Sequence, residues 1–114
     1  MVTKKQKVLT LEEAKKKGYF TFKFLNGDYR YTDEKGIEHL IRDGKEITKG
    51  VYVYSFFNGD YKYKDKKGIE HLIRNNKEIA KGFDVFSYPN GDYLYIDKKR
   101  VKHLIKKNKE VAKW

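Results

Sequence analysis

The chain contains no cysteine, a single proline and a single tryptophan among its 114 residues. Without cysteine there is no disulfide framework, no thiolate metal site and no cysteine nucleophile. Long apolar runs are missing too: the uncharged stretch through Val51 to Gly59 falls far short of the roughly 18 to 20 residues a membrane helix requires. The first seven residues are basic and lack the apolar segment of a signal peptide, so a cytoplasmic protein without membrane contact is expected. Negative charge is the scarcer sign, with 16 Asp and Glu against 27 Lys and Arg and a formal net charge of +11. An excess of that size points to a partner bearing negative charge.

What is present is aromatic and repeated. Ten Tyr and seven Phe in a 39% hydrophobic composition exceed what a disordered polycation carries, so one small folded domain is expected. Asn26-Gly27-Asp28-Tyr29 recurs as Asn58-Gly59-Asp60-Tyr61 and Asn90-Gly91-Asp92-Tyr93, and His39-Leu40-Ile41 returns as His71-Leu72-Ile73 and His103-Leu104-Ile105. The period of 32 divides the chain into a leader, 1–17, and a β domain, 18–114, made of three units, 18–49, 50–81 and 82–113, and the terminal Trp114.

Within a unit the alternation is that of strands. Asn-Gly between aromatic and β-branched runs predicts a two-residue type I′ hairpin, because both residues tolerate positive φ. That turn would set Phe24 opposite Tyr29 and Phe22 opposite Tyr31, and likewise Tyr54 and Phe56 opposite Tyr63 and Tyr61, and Phe86 and Tyr88 opposite Tyr95 and Tyr93. Twelve aromatics would then share one core-facing side, leaving Tyr19, Phe57 and Trp114 off it. A second turn is expected at Asp33–Gly36 and Asp65–Gly68, with Arg100 in the glycine position of the third unit either costing about 1 kcal/mol or shifting the turn type. A third strand, Ile37 to Arg42, and a short fourth around Ile47 complete each unit of about four strands. In the leader, Thr10-Leu11-Glu12-Glu13 reads as a capping box opening a helix over Leu11–Lys17 that ends at Gly18.

The expected fold is therefore all-β: three tandem β-meander repeats behind a short N-terminal helix. Closure about a pseudo-threefold axis, as in a trefoil, prism or toroid, would remove sheet edges, and an open β-stack is the alternative. Tyr95-Ile96-Asp97-Lys98 and the Asn-Gly turns resemble bacterial WG-type or MORN-type β-repeats over a few residues per unit. The Trp-Gly signature and glycine spacing of those repeats are lacking here, and the resemblance implies nothing about function.

Charge is spread unevenly. The leader has six Lys against two Glu, unit one six basic against six acidic residues, unit two seven against four, and unit three eight against four. The candidate anion-binding residues are Lys4, Lys5 and Lys7 in the arm, Lys66 and Lys67 in unit two, and Lys98, Lys99, Arg100, Lys102, Lys106 and Lys107 in unit three. Lysine far outnumbers the four arginines, which favours phosphate contact over bidentate base recognition. The opposing explanation is solubility and protection of strand edges.

Other chemistry is sparse. His39, His71 and His103 repeat in register and would form a three-nitrogen zinc site if an axis brought them together, but each lies between apolar neighbours on a strand, where a hydrogen-bonded imidazole is the commoner outcome. Asp28, Asp60 and Asp92, and Asp33, Asp65 and Asp97, flank turns and are accounted for by local backbone bonds. Ser55 and Ser87 lie on strands without a nucleophile elbow, and no phosphate-cradling or dinucleotide motif is present. The chain is thus expected to be a binding module and not an enzyme, with no cofactor or metal. Non-specific nucleic-acid binding (DNA or RNA) is the first expectation; recognition of an acidic protein is the second.

Overall fold

The computed structural model describes residues 8–114 and consists of one short helix and eleven strands. Helix α1 (Leu11–Lys16) starts with the expected capping box: the Thr10 hydroxyl accepts from the Glu13 amide, and the Glu13 carboxylate accepts from the Thr10 amide. It ends in a left-handed Gly18, φ 80°, with Tyr19 N–H donating to Ala14 O. A helix of two turns is not stable alone. This one is held by burying Ala14 against Tyr31 and Ile41, with Val8, Leu9, Tyr19 and Tyr29 around them.

Unit one forms a four-stranded antiparallel sheet of β1 (Phe20–Lys23), β2 (Tyr29–Thr32), β3 (Glu38–Arg42) and β4 (Lys45–Gly50), paired in chain order. Units two and three form a seven-stranded sheet, also in chain order, of β5 (Tyr52–Ser55), β6 (Tyr61–Lys64), β7 (Glu70–Arg74), β8 (Lys77–Ser87), β9 (Tyr93–Ile96), β10 (Lys102–Lys106) and β11 (Lys109–Lys113). Strand β8 is the last strand of unit two and the first of unit three, bent between Phe83 and Phe86 where Asp84 takes φ 49°. Neither sheet closes, so the expected pseudo-threefold ring is not formed by strand pairing. The edge strand β11 is charged, carrying Lys109, Glu110 and Lys113, and α1 covers a face of unit one.

The hairpin register corrects the sequence expectation. Lys23 pairs with Tyr29, Phe22 with Arg30 and Thr21 with Tyr31; Ser55 pairs with Tyr61 and Val53 with Tyr63; Ser87 pairs with Tyr93. Phe24 N–H donates to Asp28 O and Gly27 N–H to Phe24 O, which makes a three-residue loop over 25–27 with left-handed Gly27, φ 96°. The extra loop residue shifts the pairing by one and turns the first-strand aromatics to the side opposite the second-strand tyrosines. The twelve aromatics therefore do not share one face. The two-residue turn with both residues at positive φ occurs later in each unit, at Asp43-Gly44, Asn75-Asn76 and Lys107-Asn108.

Two aromatic faces suit a unit that packs on both sides. Phe24, Leu40 and Ile47 of unit one meet Val53, Tyr54, Tyr61, Tyr63 and Ile73 of unit two. Phe56, Leu72, Ile79 and Ala80 of unit two meet Val85, Tyr93, Tyr95 and Ile105 in the same manner. First-strand rings run edge to face across both boundaries, Phe22, Phe24, Tyr54, Phe56, Phe86 and Tyr88, with centroids 4.9 to 5.5 Å apart. Polar groups seal each boundary. Arg42 binds Asp28 through Nε and Nη2 and donates to Gly59 O, Ser55 Oγ donates to Asp28 at 2.6 Å, and Asn26 donates to Ser55 Oγ and Phe56 O. Arg74, Asp60, Ser87, Asn58, Gly91 O and Tyr88 O repeat this set one period later.

Candidate nucleic-acid interface

The turns joining the second and third strands of each unit lie at one end of the strands, and their geometry is fixed by one aspartate apiece. Asp33 Oδ1 accepts from the amides of Lys35 and Ile37, and Oδ2 lies 2.8 Å from His39 Nε2. The other ring nitrogen of His39 contacts Glu46, and the ring stacks on Tyr31 with centroids 4.8 Å apart. Asp65, His71, Glu78 and Tyr63 reproduce this clamp in unit two, and Asp97, His103, Glu110 and Tyr95 in unit three. The turn survives replacement of Gly36 and Gly68 by Arg100, which adopts φ 66° and donates its amide to Asp97 O as the glycines do to their aspartates. The strain of a left-handed arginine is therefore accepted at this turn.

The clamps perturb their members. Burial lowers the pKa of His71, but hydrogen bonds to Asp65 and Glu78 outweigh it, so the imidazole titrates above its ordinary value. His103 is raised by its hydrogen bonds to Asp97 and Glu110. Asp65 and Asp97 are held below the usual carboxylate value chiefly by their histidines. Asp33 is lowered as well, its burial outweighed by bonds from His39 and the Ile37 and Lys35 amides. Since each imidazole spends both nitrogens on carboxylates of its own unit, the three do not assemble a shared site. Among the described residues no group of three or more His, Asp or Glu side chains is arranged to hold a metal ion.

Rigid turns make a mounting for cations. Lys66 lines an open groove between units one and two together with Lys35, Lys49, His39 and Tyr63. The matching groove between units two and three holds Lys67, Lys81, Lys98, His71 and Phe83. Lys98, Arg100 and Lys102 border a third depression beside Phe83 and Asp84. Lys66, Lys67, Lys98, Lys99, Arg100 and Lys102 are all exposed, although Lys102 also places its ammonium 5.9 Å from the ring centre of Trp114.

The remaining predicted residues lie elsewhere. Lys106 and Lys107 sit at the far end of β10, about 13 Å from Lys102 at roughly 3.3 Å per strand residue, where they line a separate groove with Lys109, Asn90, Asp92 and Val111. Lys4, Lys5 and Lys7 fall outside the described residues. Lys35, Lys49 and Lys81 are groove cations that a search for the densest charge cluster passes over. Their signal was positional: Lys49 and Lys81 both precede the glycine that opens the next unit.

Of the aromatics expected off the core face, Phe57 and Trp114 are exposed, and Tyr19 is half-buried, donating its hydroxyl to Glu34. Among the described residues no helix is long and apolar enough to cross a membrane. No protein-family model matches the chain, and no curated protein matches it at a significant level.

Proposed function

We propose that the chain is a non-catalytic module that binds nucleic acid without sequence preference along the row of basic side chains at its clamped turns. The reading takes 18–49, 50–81 and 82–113 as three copies of one building block set in an open row, so that each added unit extends the same cationic edge. The observation that carries it is the recurrence of lysine at equivalent turn and groove positions: Lys35 and Lys49, then Lys66, Lys67 and Lys81, then Lys98, Lys99 and Arg100. Spaced point charges along an elongated body, 46 × 31 × 27 Å, suit the regular phosphates of a polyanion better than a compact ligand. The aspartates at the same turns are occupied by histidine and by backbone amides, which leaves the flexible lysines to meet the ligand.

Fluorescence anisotropy with labelled duplex DNA, single-stranded DNA and RNA between about 50 and 200 mM salt tests this. Binding to all three is expected, with affinity falling steeply with salt. The triple variant Lys67→Glu/Lys98→Glu/Arg100→Glu should lose at least about tenfold in affinity and flatten the log–log salt slope by about 2 to 3, since each phosphate contact contributes about 0.9. The variant Lys106→Glu/Lys107→Glu/Lys109→Glu carries the same charge change at the other end of the strands and should lose much less. Equal losses in the two variants, or no binding at the lowest salt, would overturn the assignment.

A further inference from the structure

Units one and two each present a face that receives the first strand of the next unit. The receiving groups are Asn26, Asp28 and Arg42, with Glu38 accepting from Val53 N–H and Arg30 donating to Val53 O; then Asn58, Asp60 and Arg74, with Glu70 accepting from Val85 N–H and Lys62 donating to Val85 O. The equivalent face of unit three is open. Tyr88, Leu104 and Val111 occupy the places of Phe24, Leu40 and Ile47, and Tyr88 and Val111 are 38% and 53% exposed. Asn90, Asp92 and Lys106 stand where a Ser-binding Asn, Asp and Arg stand at the two internal boundaries, and Lys106 Nζ reaches no closer than 3.9 Å to Asp92. These residues border the groove at the far end of β10.

The substitutions on this face make it more basic on balance, although Leu94 in place of Arg30 and Lys62 removes one cation. Glu38 and Glu70 become Lys102, Asp43 and Asn75 become Lys107, and the groove keeps at Lys109 the lysine that Lys45 and Lys77 supply in the other units. A second copy of this chain is poorly suited to fill it in either of two arrangements. The face of unit one that would complete a head-to-tail contact is covered by α1 through Ala14, Val8 and Leu9, and a tail-to-tail contact would oppose two lysine-rimmed surfaces.

We propose that the open face of unit three docks an acidic polypeptide segment in extended conformation, laid where β5 lies on unit one and the second half of β8 lies on unit two. The internal boundaries define the match: a small hydroxyl residue to bind Asp92, an apolar residue over Leu104 and Val111, and carboxylates toward Lys106 and Lys109. Segments 51–60 and 83–92, which fill the two internal sites, contain no Lys or Arg, and 83–92 carries Asp84 and Asp92. Continuity with the two existing boundaries supplies the geometry, and charge complementarity supplies the sign of the partner.

The probe is a fluorescein-labelled peptide with the sequence of residues 83–92, titrated into the full chain by anisotropy and followed by amide chemical shifts. Saturable binding is expected, with shifts grouped on Asn90, Asp92, Leu104, Lys106 and Val111. A peptide with both aspartates replaced by lysine should bind at least tenfold more weakly. The chain variant Lys106→Glu/Lys109→Glu should lose at least tenfold, with its thermal midpoint unchanged because both side chains are exposed; Val111→Asp serves as a second, charge-opposed variant. Shifts centred on Lys67 and Lys98, displacement of the peptide by an oligonucleotide, a mass doubling of the free chain with concentration, or no saturation by about 1 mM would each overturn the proposal.

Discussion

His71 and His103 show how a single side chain can organise a turn that the sequence marks only as a repeated histidine. The imidazole joins the aspartate that folds the preceding turn to a glutamate on the following strand while lying on a tyrosine ring. Its pH consequence follows from the direction of the shifts. A histidine raised in the folded state contributes stability that is complete below its ordinary value of 6.5 and is lost as pH rises through the higher folded value. The partner aspartates, lowered in the folded state, contribute fully above their ordinary value of 3.8 and lose that contribution as pH falls through the lower folded value. Thermal melts should therefore give the highest midpoint between about pH 4 and 6.5 and a decline above it. The double variant His71→Gln/His103→Gln should be less stable within that window and show a flatter alkaline side; a wild-type midpoint still rising through pH 8 would contradict the clamp. The histidines were visible in the sequence, but their partners stand six and seven residues away across two turns, and only the fold shows both carboxylates arriving at one ring.

Strands, their order and the capped helix were legible from the alternation of apolar residues, the capping box and the 32-residue period. The register was not. Asn-Gly is compatible with a two-residue turn and with a three-residue loop closed by a left-handed glycine, and the difference of one residue exchanges the faces of every aromatic in the strand. What decides between them is tertiary: Asn26 and Asp28 are positioned to bind Ser55 of the next unit, a demand that no local pattern records. The passages between units have a similar hidden requirement. A β-carbon on Gly50 would lie 2.5 Å from Lys64 O, and one on Gly82 would lie 2.3 Å from Ile96 O. Gly82→Ala should destabilise the protein by about 1 to 3 kcal/mol through forced separation of β8 and β9, measured as a lower urea midpoint with the slope unchanged. Gly68→Ala, at a turn with open space around the glycine, should cost less; equal effects would deny the close crossing.

Across the whole molecule the three units are unequal despite their common plan. Unit two is covered on both sides, unit one is covered on its first side by α1, and unit three ends in β11, all of whose residues are exposed. In a linear array each unit's stability is its own plus that of its neighbours, so opening should begin at the uncovered end. Amide exchange should be slowest on β6 and β7 and fastest on β11, read by deuterium uptake; protection of β11 equal to that of β7 would argue for a covering element on unit three. The location of the basic cluster at the sequence level pointed to unit three, and the fold explains why a simple count is insufficient: β10 carries Lys102 and Lys106 to opposite ends, where they border different grooves.

That inequality bears on how such a chain can change length. Unit two alone possesses both a donor strand with serine at its docking position and a receiving face with the full Asn, Asp, Arg and Glu set. Unit one has Lys23 in place of the serine, and unit three has lysine in place of the arginine and the glutamate. In-frame duplication of residues 50–81 would thus create one new joint, in which a unit-two receiving face meets a unit-two donor strand with every polar group matched, whereas duplicating either flanking unit would create a joint with mismatched groups. Only the middle segment carries both halves of a matched joint, and each outer segment carries one.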